Sequence, residues 1–312
     1  MDQTICHRRL PYREIQRAMT ALPVKCHPVR NALLEGRAGL NNTDSGYIQD
    51  NCMDLNLTGK TALVTGASMG IGEHIAETLA GEGVNLHLTA RSADKLSALK
   101  ARIAQTSDVS VSVHPHDLTV EGAAEALAQA TGAVDILVNN AGAIPGGDLW
   151  DVDEAAWRKG FDLKVFGYVN MSRLFYRKMK EAGGGVIINI IGNGGEVLDR
   201  NYIAGASGNV SLMGFTRALG GYALDDNIRV VGINPGPVDT DRIYNMLRKW
   251  ADKELGDPER YMELAERFPL GRPAHRSEIS DLVAFLASSR SGYTTGTVYT
   301  VDGGISAQTS IV

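Results

Sequence analysis

From Leu57 onward, apolar positions follow two alternating patterns. Short runs at 61–65, 85–89, 109–114, 134–139, 186–191, 228–233 and 298–301 have the length and apolar content of strands. Between them, near 71–82, 93–105, 120–130, 152–181, 206–224 and 277–288, apolar residues recur at helical spacing. Strand and helix in strict alternation predict an α/β fold, a single domain with a doubly wound parallel sheet of about seven strands and right-handed crossovers. In such a sheet ligands bind at the carboxyl ends of the strands. The segment 238–273 breaks the rhythm: it is long and charged, yet carries Met246, Leu247, Trp250, Tyr261, Met262 and Phe268. It reads as a helical flap over the pocket or as an oligomer contact. Residues 1–55 show neither pattern. They hold seven basic residues, with Arg8, Arg9, Arg13 and Arg17 close together but interrupted by Glu14. They are expected to form a mobile extension, or to lie upstream of a start at Met53, rather than to act as a transit peptide, which leaves 56–312 as the folded domain.

Composition narrows the class. The 312 residues are 44% hydrophobic, enough to fill a core, and the net charge of −5 gives no nucleic-acid footprint. No apolar run approaches the roughly 20 residues of a membrane helix. Cys6, Cys26 and Cys52 match no metal spacing and form no even disulfide set, which fits a reduced, cytoplasmic compartment. His114 and His116 are not expected to bind a metal.

The candidate chemistry gathers at the strand ends. Thr65-Gly66-Ala67-Ser68-Met69-Gly70-Ile71-Gly72 sits where the first strand becomes a helix. Gly66 allows a sharp turn, Gly70 and Gly72 allow close backbone approach, and the helix start leaves N–H groups that favour a phosphate. Such a cluster also serves an ordinary tight turn. The second strand ends in Ala90-Arg91, with no acidic residue to bind a ribose hydroxyl. Arg91 suits a 2′-phosphate, and so NADP rather than NAD; the position of Met69 offers no second basic group. Asp117 follows the third strand, where its carboxylate can meet an adenine amino group. Asn139-Asn140-Ala141-Gly142 ends the fourth strand: the asparagines can tie strand ends together, and Gly142 leaves room for a cofactor. Asn234 to Thr240, with Pro235 and Gly236, forms a stiff turn after the sixth.

These motifs, with Val301-Asp302-Gly303-Gly304, resemble the short-chain dehydrogenase/reductase family over about residues 55–306. The resemblance implies a single Rossmann-type domain, a nicotinamide cofactor, a small alcohol or carbonyl substrate, and a homo-oligomer, tetramer or dimer. It also implies that Gly66, Ser68, Ile71, Asp117, Leu118, Asn140, Gly142 and Pro235 line the cofactor. Met69, Gly70, Gly72, Arg91, Gly236 and Thr240 join them by position, and Asn209 does so as the residue standing where the family has its lysine.

The family's Asn-Ser-Tyr-Lys set does not carry over. The Tyr-x-x-x-Lys positions fall on Gly205 and Asn209, the serine on Gly192 and the asparagine on Lys164. The polar residues nearby are Lys164, Asn193, Tyr202, Ser207 and Asn209. Lys164 shares a helical face with Trp157, Phe161 and Tyr168, so it either reaches the cofactor from a neighbouring helix or packs its stem while its head reaches water. Tyr202 is a candidate proton donor or a loop tyrosine on the flap. Asn193 would orient the substrate oxygen, or serves a left-handed turn. Glu196 and Asp199 read as solvated loop charges. The leading expectation is an NADP(H)-dependent oxidoreductase using Tyr202, Lys164 and Asn193. A lyase or hydrolase on the same fold and a catalytically inactive cofactor-binding protein are the alternatives.

Overall fold

The computed structural model describes residues 53–308. All three cysteines, and all of the expected extension except Met53 to Leu55, lie outside the described residues. Leu55 already packs on the main core.

Seven strands form one sheet: β1 (Thr61–Thr65), β2 (Asn85–Ala90), β3 (Val111–Pro115), β4 (Ile136–Asn139), β5 (Gly185–Ile190), β6 (Ile228–Pro235) and β7 (Thr297–Val301). Their order is β3-β2-β1-β4-β5-β6-β7 and every pairing is parallel. The order reverses between β1 and β4, which opens a crevice at their carboxyl ends. Helices α1 (Gly70–Gly81), α2 (Ala93–Thr106), α3 (Ala123–Thr131), α4 (Glu154–Phe161), α5 (Gly167–Ala182), α6 (Ile203–Gly220), α7 (Asp241–Leu255), α8 (Tyr261–Ala265) and α9 (Arg276–Ala287) complete the chain. The core has one layer on each face of the sheet. Ile75, Leu79, Ile279 and Val283 pack with Val64, Val138 and Ile188 on one side, while Met171, Phe175 and Met179 pack with Leu63, Leu137 and Ile187 on the other. Neighbouring strand residues thus face opposite layers, and strands covered on both faces are apolar throughout. β6 is buried along its whole length, and Arg229 within it donates to the carbonyls of Leu286, Ala287 and Ser288 at the end of α9. The guanidinium therefore satisfies carbonyls that the helix cannot satisfy itself. No helix of the described residues is long and apolar enough to cross a membrane.

Two departures from the periodicity matter for the site. The helical pattern over 152–181 is broken by a π-turn, Asp162–Phe166, between α4 and α5. Lys164 and Val165 of this turn are buried while Phe166 is exposed. α6 begins at Ile203, earlier than the apolar spacing indicates, because Tyr202 already occupies the position before its first turn. In the irregular segment, α7 and α8 pack on each other through Ile243, Leu247, Ala251, Leu264 and Ala265.

Candidate active site

The glycine turn after β1 is shaped by close approach. Gly66 has φ +67°, and a Cβ on Gly72 would lie 2.5 Å from the Gly66 carbonyl oxygen and 2.3 Å from Asn140 Nδ2. Asn140 Nδ2 donates to the carbonyls of Thr65 (3.0 Å) and Gly66 (3.2 Å), so it fastens the turn to the end of β4. Asn139 does the same for β5, donating to Asn189 Oδ1 at 2.9 Å. α1 starts at Gly70 after an extended, half-exposed Met69 with no side-chain cap, which leaves its first N–H groups without a side-chain partner. Thr240, which precedes α7, brings its methyl to 3.3 Å from where a Gly70 Cβ would sit. Ser68 is half-buried, Ile71 packs on the main core, and Leu118 packs on the second layer.

At the far end of the crevice, Arg91 is exposed directly after β2. Asp117 Oδ1 accepts from the Thr119 backbone N–H (3.0 Å) and hydroxyl (2.7 Å). These bonds, the backbone one first, hold its carboxyl below the usual range, and the Arg91 charge adds to them.

The carboxyl end of β5 gathers the remaining groups. Lys164 is 9% exposed, and its Nζ donates to the Ile191 carbonyl at 2.5 Å. Its head is thus turned inward, not out to water. Burial, and then the nearby Arg242 charge, lower its pKa to about 7. Its stem covers Gly142, where a Cβ would stand 2.9 Å from Lys164 Cδ. The bare face of Gly142 therefore makes room for this lysine. Tyr168, one turn on, donates its hydroxyl to Ile190 O at 2.8 Å.

Tyr202 lies over Gly205. A Cβ at 205 would be 1.9 Å from Tyr202 Cζ and 2.2 and 2.4 Å from its ε carbons, so the phenol ring fills the volume a side chain at 205 would use. Its hydroxyl accepts from Arg242 Nη2 at 3.1 Å, and Arg242 belongs to the first turn of α7. Asn209 is 2% exposed, with Nδ2 at 3.2 Å from the Cβ that Gly192 lacks and Oδ1 without a partner. Asn193 turns elsewhere: its Nδ2 approaches Asp302 Oδ2 at 3.4 Å, and Asp302 is also bound by Ser306 and Gly304. Gly236 meets the same aspartate, its missing Cβ falling 2.6 Å from Asp302 Cβ. Ser207 is exposed and bonds back to Ile203 O. Glu196, read from sequence as a solvated charge, instead accepts from Asn234 (3.0 Å) and Thr300 (2.6 Å) through Oε1.

The family model described as enoyl-(acyl carrier protein) reductase matches residues 66–306. The chain belongs to the short-chain dehydrogenase/reductase family. Among its relatives in this family, the oxidoreductase UcpA of Salmonella typhimurium is 35% identical over 260 residues, spanning 82% of this chain and 97% of the relative. The 7alpha-hydroxysteroid dehydrogenase of Escherichia coli is 32% identical, spanning 81% and 97%. Among solved short-chain dehydrogenase/reductase structures, L-sorbose reductase from Gluconobacter frateurii, complexed with NADPH and L-sorbose, matches with a TM-score of 0.77 at 30% identity, covering 82% of this chain and 100% of that one.

Arg242 was missed in the sequence. It sits in a charged segment with no motif around it, and only the fold of α7 brings it to Tyr202. The orphaned oxygen of Asn209 was equally invisible, because its surroundings come from β5 and α6 together.

Proposed function

We propose that this chain is an NADP(H)-dependent oxidoreductase that interconverts an alcohol and a carbonyl compound, with Tyr202 exchanging the proton. The single observation that carries this reading is the Tyr202 ring lying in the space above Gly205. The family's phenol projects from that position, so here the phenol is supplied from three residues earlier into the same volume.

The other groups support the same reading. The lysine and asparagine positions of the family are exchanged: Lys164 stands in place of the asparagine and Asn209 in place of the lysine. Both converge on the Ile191-Gly192 end of β5. The buried, unpartnered Asn209 Oδ1 needs a donor, and a ribose hydroxyl of a bound dinucleotide is one. Together with the glycine cradle and the uncapped start of α1, this fits a nicotinamide dinucleotide. Gly66, Ser68, Gly70 and Ile71 would border its phosphates, Arg91 and Asp117 its adenosine half, and Asn209 its second ribose. When bound, the reduced nicotinamide supplies a hydride to the carbonyl carbon and leaves oxidised. The protein supplies the proton: Tyr202 Oη donates to the carbonyl oxygen as it becomes an alkoxide, and the alcohol is complete. Arg242 beside Oη stabilises the phenolate left behind, and Lys164 adds positive charge from below. Asn193 is bound to Asp302, so its part is to hold the turn after β5 against β7.

NADP is preferred because Arg91 can bond a 2′-phosphate and Ala90 presents no competing carboxylate. The L-sorbose reductase structure contains NADPH, whereas a 7 alpha-hydroxysteroid dehydrogenase structure of comparable similarity (TM-score 0.72) contains NADH, so the choice rests on Arg91 in this chain. A dimer or tetramer belongs to the same proposal, with exposed Phe166 and Val210 available to a second copy.

The test is absorbance loss of NADPH over a panel of carbonyl compounds, with Tyr202→Phe alongside. Turnover falling about 10²-fold with NADPH affinity retained supports the assignment. Full activity in Tyr202→Phe rejects it, and tight NADPH binding without consumption on any compound moves the non-redox reading ahead.

A further inference from the structure

Several arginines of the domain are paired with carboxylates. Arg102, Arg158, Arg260, Arg267 and Arg272 each hold a carboxylate within 3.2 Å. Arg242, exposed in the first turn of α7, does not: among the described residues no carboxylate lies within 4.0 Å of it, and its side-chain partner is the Tyr202 hydroxyl. A guanidinium carries five N–H donors in a planar fork, and one bond leaves most of them open. Several acidic groups near it in the chain or across the cleft are committed elsewhere. Asp302 is bound by Ser306 and Gly304, Glu196 by Asn234 and Thr300, and Asp199 by Asn201. Asp239 engages Tyr244. The second cation of the cleft, Lys164, is buried and close enough to Arg242 to feel its charge. Arg242 and Lys164 thus lie near one another with no carboxylate paired to either among the described residues.

We propose that the substrate is an anionic carbonyl compound, one that carries a carboxylate within a bond or two of its reacting carbonyl, and that Arg242 binds this carboxylate. The inference rests on the oxidoreductase reading, because it takes Tyr202 Oη as the group that meets the carbonyl oxygen. The geometry follows from that contact. Arg242 Nη2 is 3.1 Å from Oη. A substrate oxygen at ordinary hydrogen-bond distance from Oη lies within roughly 6 Å of the guanidinium. The carboxylate of a 2-oxo or 3-oxo acid spans that gap and can take a fork of two parallel N–H bonds, which a hydroxyl or an ester cannot. The same substrate would bring a negative charge to Arg242. Arg242 then has two contacts, the phenol and the substrate carboxylate, and acts as the specificity residue of the cleft.

The test uses the full chain with NADPH and matched substrates: 2-oxo and 3-oxo acids against their methyl esters. The wild type is expected to favour an acid over its ester by about tenfold or more in kcat/KM, the range of a charge-assisted pair. Arg242→Gln should collapse that ratio toward one, chiefly through KM of the acid, and Arg242→Lys should restore part of it. Equal use of acids and esters by the wild type, or an equal loss on both in Arg242→Gln, overturns the inference while leaving the oxidoreductase reading in place. If no pair is turned over, thermal melting of the NADP-bound protein with oxamate decides the anion site separately. A rise in Tm seen in the wild type and lost in Arg242→Gln supports an anion site, whereas no rise overturns it.

Discussion

Replacing Gly205 with alanine separates the place of the phenol from its presence. The added Cβ would fall 1.9 Å from Tyr202 Cζ, about half the separation at which carbon atoms rest against each other. Helix backbone cannot move that far, so the ring must swing away. Tyr202 is half-exposed and precedes α6, so it has room to do so. Stability should change by no more than about 1 kcal/mol, since the loss of ring packing is offset by the better helix propensity of alanine. If Tyr202 is the proton donor, turnover should fall about 10²-fold, as for Tyr202→Phe, although the phenol is still present. The assay is kcat/KM by NADPH absorbance, with thermal melting and NADPH titration as controls. The double variant Gly205→Ala with Tyr202→Phe should be no slower than either single one, because both remove the same interaction. Wild-type kcat/KM in Gly205→Ala, with the ring shown to be displaced, would refute the reasoning, since the phenol would then be active from another place or not needed at all.

Arg91→Ala should weaken NADPH binding about tenfold or more and leave NADH nearly unchanged, read by fluorescence titration of both; equal losses would contradict the 2′-phosphate assignment. Lys164 has a folded pKa of about 7 against an ordinary 10.5, so between these values the unfolded chain binds the extra proton and stability rises with pH. The wild type should therefore gain Tm relative to Lys164→Met as pH is raised from 7 toward 10. If the ammonium is the working form, kcat/KM for reduction should decline above about pH 7, and this inflection should be absent from Lys164→Met. Gly72→Ala should sharply reduce soluble protein or cofactor binding, because its Cβ has backbone on one side and Asn140 on the other. Arg229→Met should destabilise the fold by about 3 kcal/mol or more in urea denaturation, since it leaves the end carbonyls of α9 buried without donors.

The sheet was readable in the sequence because buried parallel strands must be apolar on both faces, as Ala62 to Val64 and Val230 to Ile233 are. The glycine turn was readable because few residues other than glycine tolerate its backbone and its crowding. The catalytic end was legible only in outline. Helical spacing placed Lys164 on an apolar stripe, but a π-turn decided that its head would be buried. Counting residues located Gly205 and Tyr202 three apart, yet not that one fills the space left by the other. Arg242 needed the tertiary fold of α7, since nothing local distinguishes it from the other charges of its helix. Where one residue's environment comes from its own element, the pattern reveals it. Where the environment comes from three elements, as at the end of β5, it does not.

The overlap of Tyr202 with the space of residue 205 also constrains descent. Restoring tyrosine at 205 while Tyr202 stays would force two rings into one volume. Removing Tyr202 first would leave no phenol in that volume. Neither order passes through an intermediate that retains the group, so the two positions can exchange roles again only together. Lys164 and Asn209 show the same interdependence, because reverting one alone gives the cleft two lysines or none at those positions. The two positions therefore behave as one unit, and the effect of a substitution at either depends on what stands at the other.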